Sequence, residues 1–219
     1  MSASAILIDM VYPLAKHFVL PPVRLWVREI KGIENLPREQ GFIITANHSS
    51  YLDHWGLGYP VVYCLNKKLH FLAKKEHFDN LFERIWHTYA GAIPLDREAG
   101  GKEALKRAIE SLKEGKVIGI YPEGTRSLTG KMQRAKTGIA RLALEAKVPV
   151  VPVGLIGMFG ILPKGRWAPR FKTAKVAIGK PMSFEKHYGK PITKRLLREI
   201  TTTIMKEIAR LSHQRYDFD

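Results

Sequence analysis

Cysteine is almost missing from this chain: Cys64 is the single one in 219 residues. An intrachain disulfide is therefore excluded, and so is a thiolate zinc site, which takes several cysteines. A reducing compartment suits such a sequence. Long uncharged apolar runs are missing as well. The most apolar stretch, Ala3 to Val27, is interrupted by Asp9, Lys16, His17 and Arg24. That argues against a simple spanning helix, which needs about 18 or more apolar residues. Met1-Ser2-Ala3-Ser4 carries no cation and Asp9 falls in the would-be apolar region, so a secretory signal is not expected. Acidic residues are scarce beside basic ones, 20 against 36, for a formal net charge of +16. An excess of that size points to a polyanionic partner: nucleic acid, a phosphorylated substrate or an anionic membrane surface. No internal repeat and no low-complexity linker is found. With 45% hydrophobic and 26% charged residues, the chain can bury a core and is not globally disordered.

Residues 1–30 read as one helical segment broken at Pro21-Pro22. Ile6, Met10, Leu14 and Phe18 recur at helical spacing, and Leu25, Trp26 and Ile30 stand beside Arg24 and Arg28. Apolar side chains flanked by cations suit helices lying on a membrane interface, or a terminal helix docked on the protein's own core. From Lys31 onward strands alternate with helices. Strands are predicted at 42–45, 69–72, 92–95, 117–121, 148–155 and 175–178, and helices at 53–64, 76–89, 102–113, 136–146 and 193–212. That alternation predicts an α/β fold, a central and mostly parallel sheet flanked by helices. The division is an interfacial segment over 1–30 and one α/β domain over 31–219.

Three groups of residues carry chemistry. Asn47-His48-Ser49-Ser50-Tyr51-Leu52-Asp53 follows a strand. On a continuous helix, five residues turn about 500°, which leaves His48 and Asp53 roughly 140° apart. They meet only if His48 sits in the strand-to-helix turn and Asp53 in the first turn of the helix. Asp53 then orients one imidazole nitrogen and leaves the other as a base. The same residues also read as a capping-box variant, Ser50-x-x-Asp53, with no catalytic role. Tyr121-Pro122-Glu123-Gly124-Thr125-Arg126-Ser127 follows another buried strand. Gly124 permits close backbone approach and Arg126 offers a planar fork for phosphate. Its plainer reading is an exposed turn with an internal Glu–Arg pair. Last, Lys74, Lys75, Arg97, Lys131, Arg134 and Lys136 stand at or after strand ends, the edge where ligands bind in open parallel sheets.

Together these blocks resemble the lysophospholipid acyltransferase family, typified by 1-acylglycerol-3-phosphate O-acyltransferases. His-x4-Asp is matched at His48 to Asp53, and Gly91-Ala92-Ile93-Pro94-Leu95-Asp96-Arg97 matches a second block. Pro122-Glu123-Gly124-Thr125-Arg126-Ser127 matches a third and Val151-Pro152-Val153 a fourth; Ala73 to Glu76 and Lys136-Thr137-Gly138 match shorter stretches. The resemblance covers about residues 32–180 and keeps the family's order. It implies transfer of a fatty acyl group from acyl-CoA or acyl carrier protein to 1-acylglycerol-3-phosphate, giving phosphatidic acid. By resemblance His48 is the base and Asp53 its orienting partner. Lys74, Arg97, Glu123, Gly124, Thr125 and Arg126 form the acceptor-phosphate site. No metal or cofactor is implied beyond the acyl-donor co-substrate.

Family members often carry clear spanning helices before the first block. The interrupted segment 1–30 implies one-sided, monotopic attachment at the cytoplasmic face, to membrane lipids and an anionic surface. Glycerol-3-phosphate, another lysophospholipid or a glycolipid remain alternative acceptors. A nucleic-acid-binding protein is the distant alternative, permitted by Lys164-Gly165-Arg166-Trp167-Ala168-Pro169-Arg170-Phe171-Lys172. That stretch lacks any known RNA-binding signature, so no nucleic acid is expected.

Overall fold

A computed structural model describes residue 17 and residues 21–96 and 101–218, the side chains at 77, 82 and 86 excepted. Seven strands form one sheet: β1 (Val27–Lys31), β2 (Phe42–Ala46), β3 (Leu69–Lys74), β4 (Ile93–Leu95), β5 (Val117–Ile120), β6 (Val150–Ile156) and β7 (Ala174–Ile178). Their spatial order is β1-β7-β6-β2-β5-β3-β4. All neighbours run parallel except β6 and β7, so the expected mostly parallel sheet is found. Helices α1 (Asp53–Gly58), α2 (Leu81–Tyr89), α3 (Lys102–Lys113), α4 (Gly138–Ala146), α5 (Met158–Ile161) and α6 (Lys194–Ser212) flank it.

β2 lies at the centre, and all five of its residues are buried. Successive side chains point to opposite faces of a strand, so a central strand covered on both sides must be apolar throughout. Accordingly Phe42 and Ile44 join a core with Leu57, Val153, Val176 and Met158. Ile43 joins the opposite core with Ala108, Leu112, Ile139, Leu142 and Ile204 from α3, α4 and α6. Gly154 of β6 lets α6 settle directly on the sheet, because a Cβ there would run into the backbone of Leu211 and Ser212.

Three elements depart from the sequence-based expectation. Residues 27–30, expected within a helical segment, belong to β1, which pairs with β7 and buries Val27 completely. Ahead of it, Pro21–Leu25 is a 3₁₀ turn. Residues 1–16 and 18–20, which hold most of the expected interfacial segment, lie outside the described residues. The helix expected over 76–89 is two pieces, a 3₁₀ turn at Lys75–Phe78 and then α2. Asn80 Oδ1 accepts the Glu83 N–H, so the asparagine caps a new start. After α1 the ladder widens into π-type turns over Tyr59–Cys64, because Pro60 has no N–H for a regular helical bond. No helix among the described residues is long and apolar enough to cross a membrane.

Candidate active site

β2 and β5 are neighbours in the sheet, and each delivers a loaded turn at its C-terminal end. From β2 the chain runs through Asn47 to His48. Asn47 ties this turn to β6: its Nδ2 donates to the Leu155 carbonyl at 3.0 Å, and its Oδ1 accepts the Leu155 N–H at 2.8 Å. Asp53, the first residue of α1, is fully buried. Its Oδ2 meets His48 Nδ1 at 2.8 Å and accepts the Ser49 and Ser50 N–H groups at 2.6 and 2.7 Å. The expected placement is found, with His48 in the turn and Asp53 in the first turn of α1. The N-cap is Leu52 rather than Ser50, so the Ser50 N–H bond shapes the turn without completing the expected capping box, and the same oxygen grips the imidazole. An acceptor at Nδ1 places the ring proton there and leaves Nε2 with a free lone pair. Among Asp53's partners only His48 can become cationic. Asp53 Oδ1 is buried without a partner among the described residues.

From β5 the chain runs through Tyr121 and Pro122 to Glu123, which is 4% exposed. Here the expectation needs correcting. Glu123 makes no ion pair with Arg126 among the described residues, and both its oxygens are taken up by N–H donors. Its Oε1 accepts the His48 N–H at 2.8 Å, and its Oε2 accepts the Gln133 N–H at 2.8 Å and Gln133 Nε2 at 3.3 Å. It is a brace that holds the β5 turn against the backbone of His48. Ser127 N–H closes the same seam by donating to the His48 carbonyl at 2.8 Å. Burial pushes the Glu123 carboxyl up to about 7, against the N–H donors of His48 and Gln133 that favour its ionised form.

Arg126 lies over Tyr51, its guanidinium carbon 3.6 Å from the ring centroid. Stacking on an aromatic face orients the fork without using its N–H donors, which stay available to an anion. Gly124, at φ +74, makes the bend between Glu123 and Arg126 in a conformation that disfavours other residues. Thr125 is exposed, and its carbonyl accepts Gln133 Nε2 at 3.1 Å. Lys74 is exposed at the C-terminal end of β3, on the same edge of the sheet. Arg97 lies outside the described residues.

Several neighbours carried no sequence signal. Tyr121 stacks on His48 with centroids 3.9 Å apart and planes 10° from parallel. His54 packs edge-on against Phe71 and Tyr121. Desolvation in that packing, then the nearby His48 and Arg126, lowers the His54 imidazole, although the residue as a whole is exposed. Tyr51 and Tyr121 stand inside the two motif stretches and His54 directly follows one, and only that position could have flagged them. Gln133, ten residues beyond Glu123, had no such cue. Together the two turns present an oriented base beside a stacked, available guanidinium, a pairing suited to removing a proton from a substrate that carries an anionic group.

The chain is similar to several known proteins. The chain is 38% identical over 124 residues to the 1-acyl-sn-glycerol-3-phosphate acyltransferase of Bacillus subtilis, covering 57% of this chain and 60% of that protein. It is 30% identical over 128 residues to the human 1-acyl-sn-glycerol-3-phosphate acyltransferase alpha, covering 57% of this chain and 44% of that one. The matched span is thus less than two thirds of either relative's length. The crystal structure of the 1-acyl-sn-glycerophosphate (LPA) acyltransferase PlsC from Thermotoga maritima superposes with a TM-score of 0.70 at 26% identity, over 98% of this chain and 83% of that one. The acyltransferase family profile matches residues 27–156, more than half the chain. Because that span opens at β1, closes with β6 and contains both the His48 and the Arg126 turns, the chain belongs to the acyltransferase family.

Proposed function

We propose that the protein moves a fatty acyl group from a thioester, acyl-CoA or acyl carrier protein, to the free hydroxyl of 1-acylglycerol-3-phosphate, forming phosphatidic acid. The observation that carries this reading is the His48–Asp53 contact at 2.8 Å with Nε2 left free, next to Arg126 stacked on Tyr51. His48 Nε2 takes the hydroxyl proton as the oxygen attacks the thioester carbonyl. The C–O bond forms, the C–S bond breaks, and the imidazolium returns its proton to the departing thiolate. Asp53 offsets the positive charge on the ring while it lasts. Arg126 and Lys74 hold the acceptor phosphate, Gly124 and Thr125 shape the bend beneath it, and Arg97 is assigned there by resemblance alone. The thioester arrives already activated, so the reaction as drawn asks for no further cofactor. The acceptor and product are membrane lipids, which supports attachment from one side at the cytoplasmic face. The relatives from Bacillus subtilis and human carry this activity in their names.

The test is thiol release by purified protein in detergent. Acyl-CoA and acyl-carrier-protein donors are offered with 1-acylglycerol-3-phosphate, glycerol-3-phosphate and an uncharged lysolipid. The expected acceptor is 1-acylglycerol-3-phosphate, with His48→Ala folded and slower by about 10²–10⁴. A folded His48→Ala protein with wild-type turnover would overturn the mechanism, and preference for another acceptor would overturn the substrate assignment.

A further inference from the structure

Between α5 and β7 the chain makes an excursion over residues 162–173. Trp167 and Phe171 stand at its surface, 95% and 105% exposed. Lys164, Arg166, Arg170 and Lys172 surround them, all exposed, and no acidic residue occurs from Leu162 to Ala174. The excursion is built rather than loose. Arg166 N–H donates to the Pro163 carbonyl at 3.2 Å, Arg170 N–H to Ile161 at 3.0 Å and Lys172 N–H to Arg170 at 2.9 Å. A second strip lies beside it. Trp26 Nε1 donates to the Arg170 carbonyl at 3.1 Å, and Ala174 N–H to the Trp26 carbonyl at 2.8 Å. This brings up the Pro21–Leu25 turn, with Arg24 exposed and Leu25 66% exposed. Pro21 to Arg28 is also free of acidic residues. The nearest carboxylate in sequence, Glu29, is already paired with Lys31 and Lys175 at 2.7 Å each.

We propose that Trp167 and Phe171, ringed by Lys164, Arg166, Arg170 and Lys172, are a membrane contact that inserts into the interface of an anionic bilayer. Large rings that nothing covers among the described residues, beside an aliphatic Leu25 and within a field of one sign, match the chemistry of an anionic lipid surface. Apolar groups enter the headgroup boundary while cations meet lipid phosphates. Aromatics among cations also suit single-stranded nucleic acid, but Leu25 offers a base nothing to stack on. The choice of lipid rests on the acyltransferase reading, since a lipid substrate must be taken from a bilayer.

The position gives the contact a consequence. Ser50 Oγ donates to the Leu162 carbonyl at 2.9 Å, and Tyr51 N–H donates to the same oxygen at 3.0 Å. Tyr51 is the residue on which Arg126 stacks. The root of the excursion is thus bonded to the turn between His48 and Asp53, so a bilayer held by Trp167 and Phe171 lies in fixed register with the acceptor site.

The experiment uses the full chain and phosphatidylglycerol-containing vesicles, without substrate. Vesicles carrying brominated acyl chains should quench tryptophan fluorescence in the wild type, and the quenched component should be lost in Trp167→Phe. Replacing Lys164, Arg166, Arg170 and Lys172 by glutamine should weaken binding to anionic vesicles at least about tenfold, with little change on neutral ones. The double variant Trp167→Ser/Phe171→Ser should leave residual binding more sensitive to salt. Absence of vesicle binding, or bound protein whose Trp167 is not quenched, overturns the proposal. So does a set of variants that lose RNA binding and keep vesicle binding. Transfer to a short-chain acceptor below its micelle concentration is a separate arm. It should be unchanged in every variant, and its loss would move the excursion into the catalytic site. If the wild type performs no such transfer, the acyltransferase reading fails, while the quenching result still decides the membrane contact.

Discussion

Replacing Glu123 by glutamine keeps the side chain's shape but removes one charge and one acceptor oxygen. In the wild type Oε1 receives the His48 N–H and Oε2 receives N–H groups of Gln133. Whichever way the amide turns, its NH₂ must face a backbone N–H, and that donor is orphaned in a buried site at a cost of about 1–3 kcal/mol. A second effect opposes this one. A carboxyl held at about 7 against an ordinary 4.5 carries an ionisation cost of about 3 kcal/mol once the pH exceeds 7. Glutamine relieves that cost. At pH 8 the two nearly offset, so stability should change by no more than about 2 kcal/mol, and Tm by no more than about 8 °C. Turnover has no such compensation. With the NH₂ turned to His48, the orphaned N–H is that of the proposed base; with it turned to Gln133, the brace behind that base is loosened, and 1–3 kcal/mol taken from its positioning slows the reaction about 10- to 100-fold.

The pH dependence follows with a definite sign. The raised carboxyl means that the folded chain holds this proton more tightly than the unfolded one. Its contribution to stability therefore falls as pH rises from about 4.5 to about 7 and is level above. Denaturant titrations across that window should show this slope in the wild type and not in Glu123→Gln. Thiol-release assays should give the largest wild-type-to-variant ratio at pH 8 and a shrinking one toward pH 5.5, where a protonated Glu123 meets the same clash of donors. A folded Glu123→Gln enzyme with wild-type turnover at pH 8, or a ratio flat with pH, would refute the reasoning.

Asp53→Asn should fold yet lose at least about 10² in turnover, because the partner of the imidazolium is then uncharged; circular dichroism with steady-state kinetics checks both halves. Arg126→Lys keeps the charge but loses the fork and its stack on Tyr51, so acceptor KM should rise about 10- to 100-fold with donor KM nearly constant. Equal effects on both substrates would remove Arg126 from the phosphate site. Gly154→Ala drives a methyl into the backbone of α6 and should cost about 3 kcal/mol or more, a fall in Tm of roughly 6–12 °C by thermal melt. A wild-type melt would contradict the close packing of β6 and α6.

Sequence carried the interior of this protein better than its margins. β2 and β5 were readable because buried central strands are short apolar runs, and the His48–Asp53 pairing was readable because helix geometry forbade every placement but the turn. β1 was not. Its partner β7 lies more than 140 residues away, and Val27 stands in register with Ala174 through a pairing that leaves no local periodicity; Leu25, Trp26 and Ile30 read as well for a helix. The reversed direction of β7 against β6 is likewise a property of long-range pairing. Glu123 was misread for a related reason. Beside Arg126 in sequence it invites an ion pair, but the turn at Gly124 sends the two side chains different ways, and its true partners belong to His48 and Gln133.

Asp53 makes a single oxygen answer to two demands. The bonds that shape the entrance to α1 and the bond that readies the imidazole end on the same atom. Anything that loosens this corner of the chain, whether heat, a mild denaturant or a neighbouring substitution, acts on the imidazole's orientation and on the entrance to α1 together. Catalytic output is therefore a thermometer for one turn of the molecule, and warming should silence it at a temperature below the one at which the seven strands come apart.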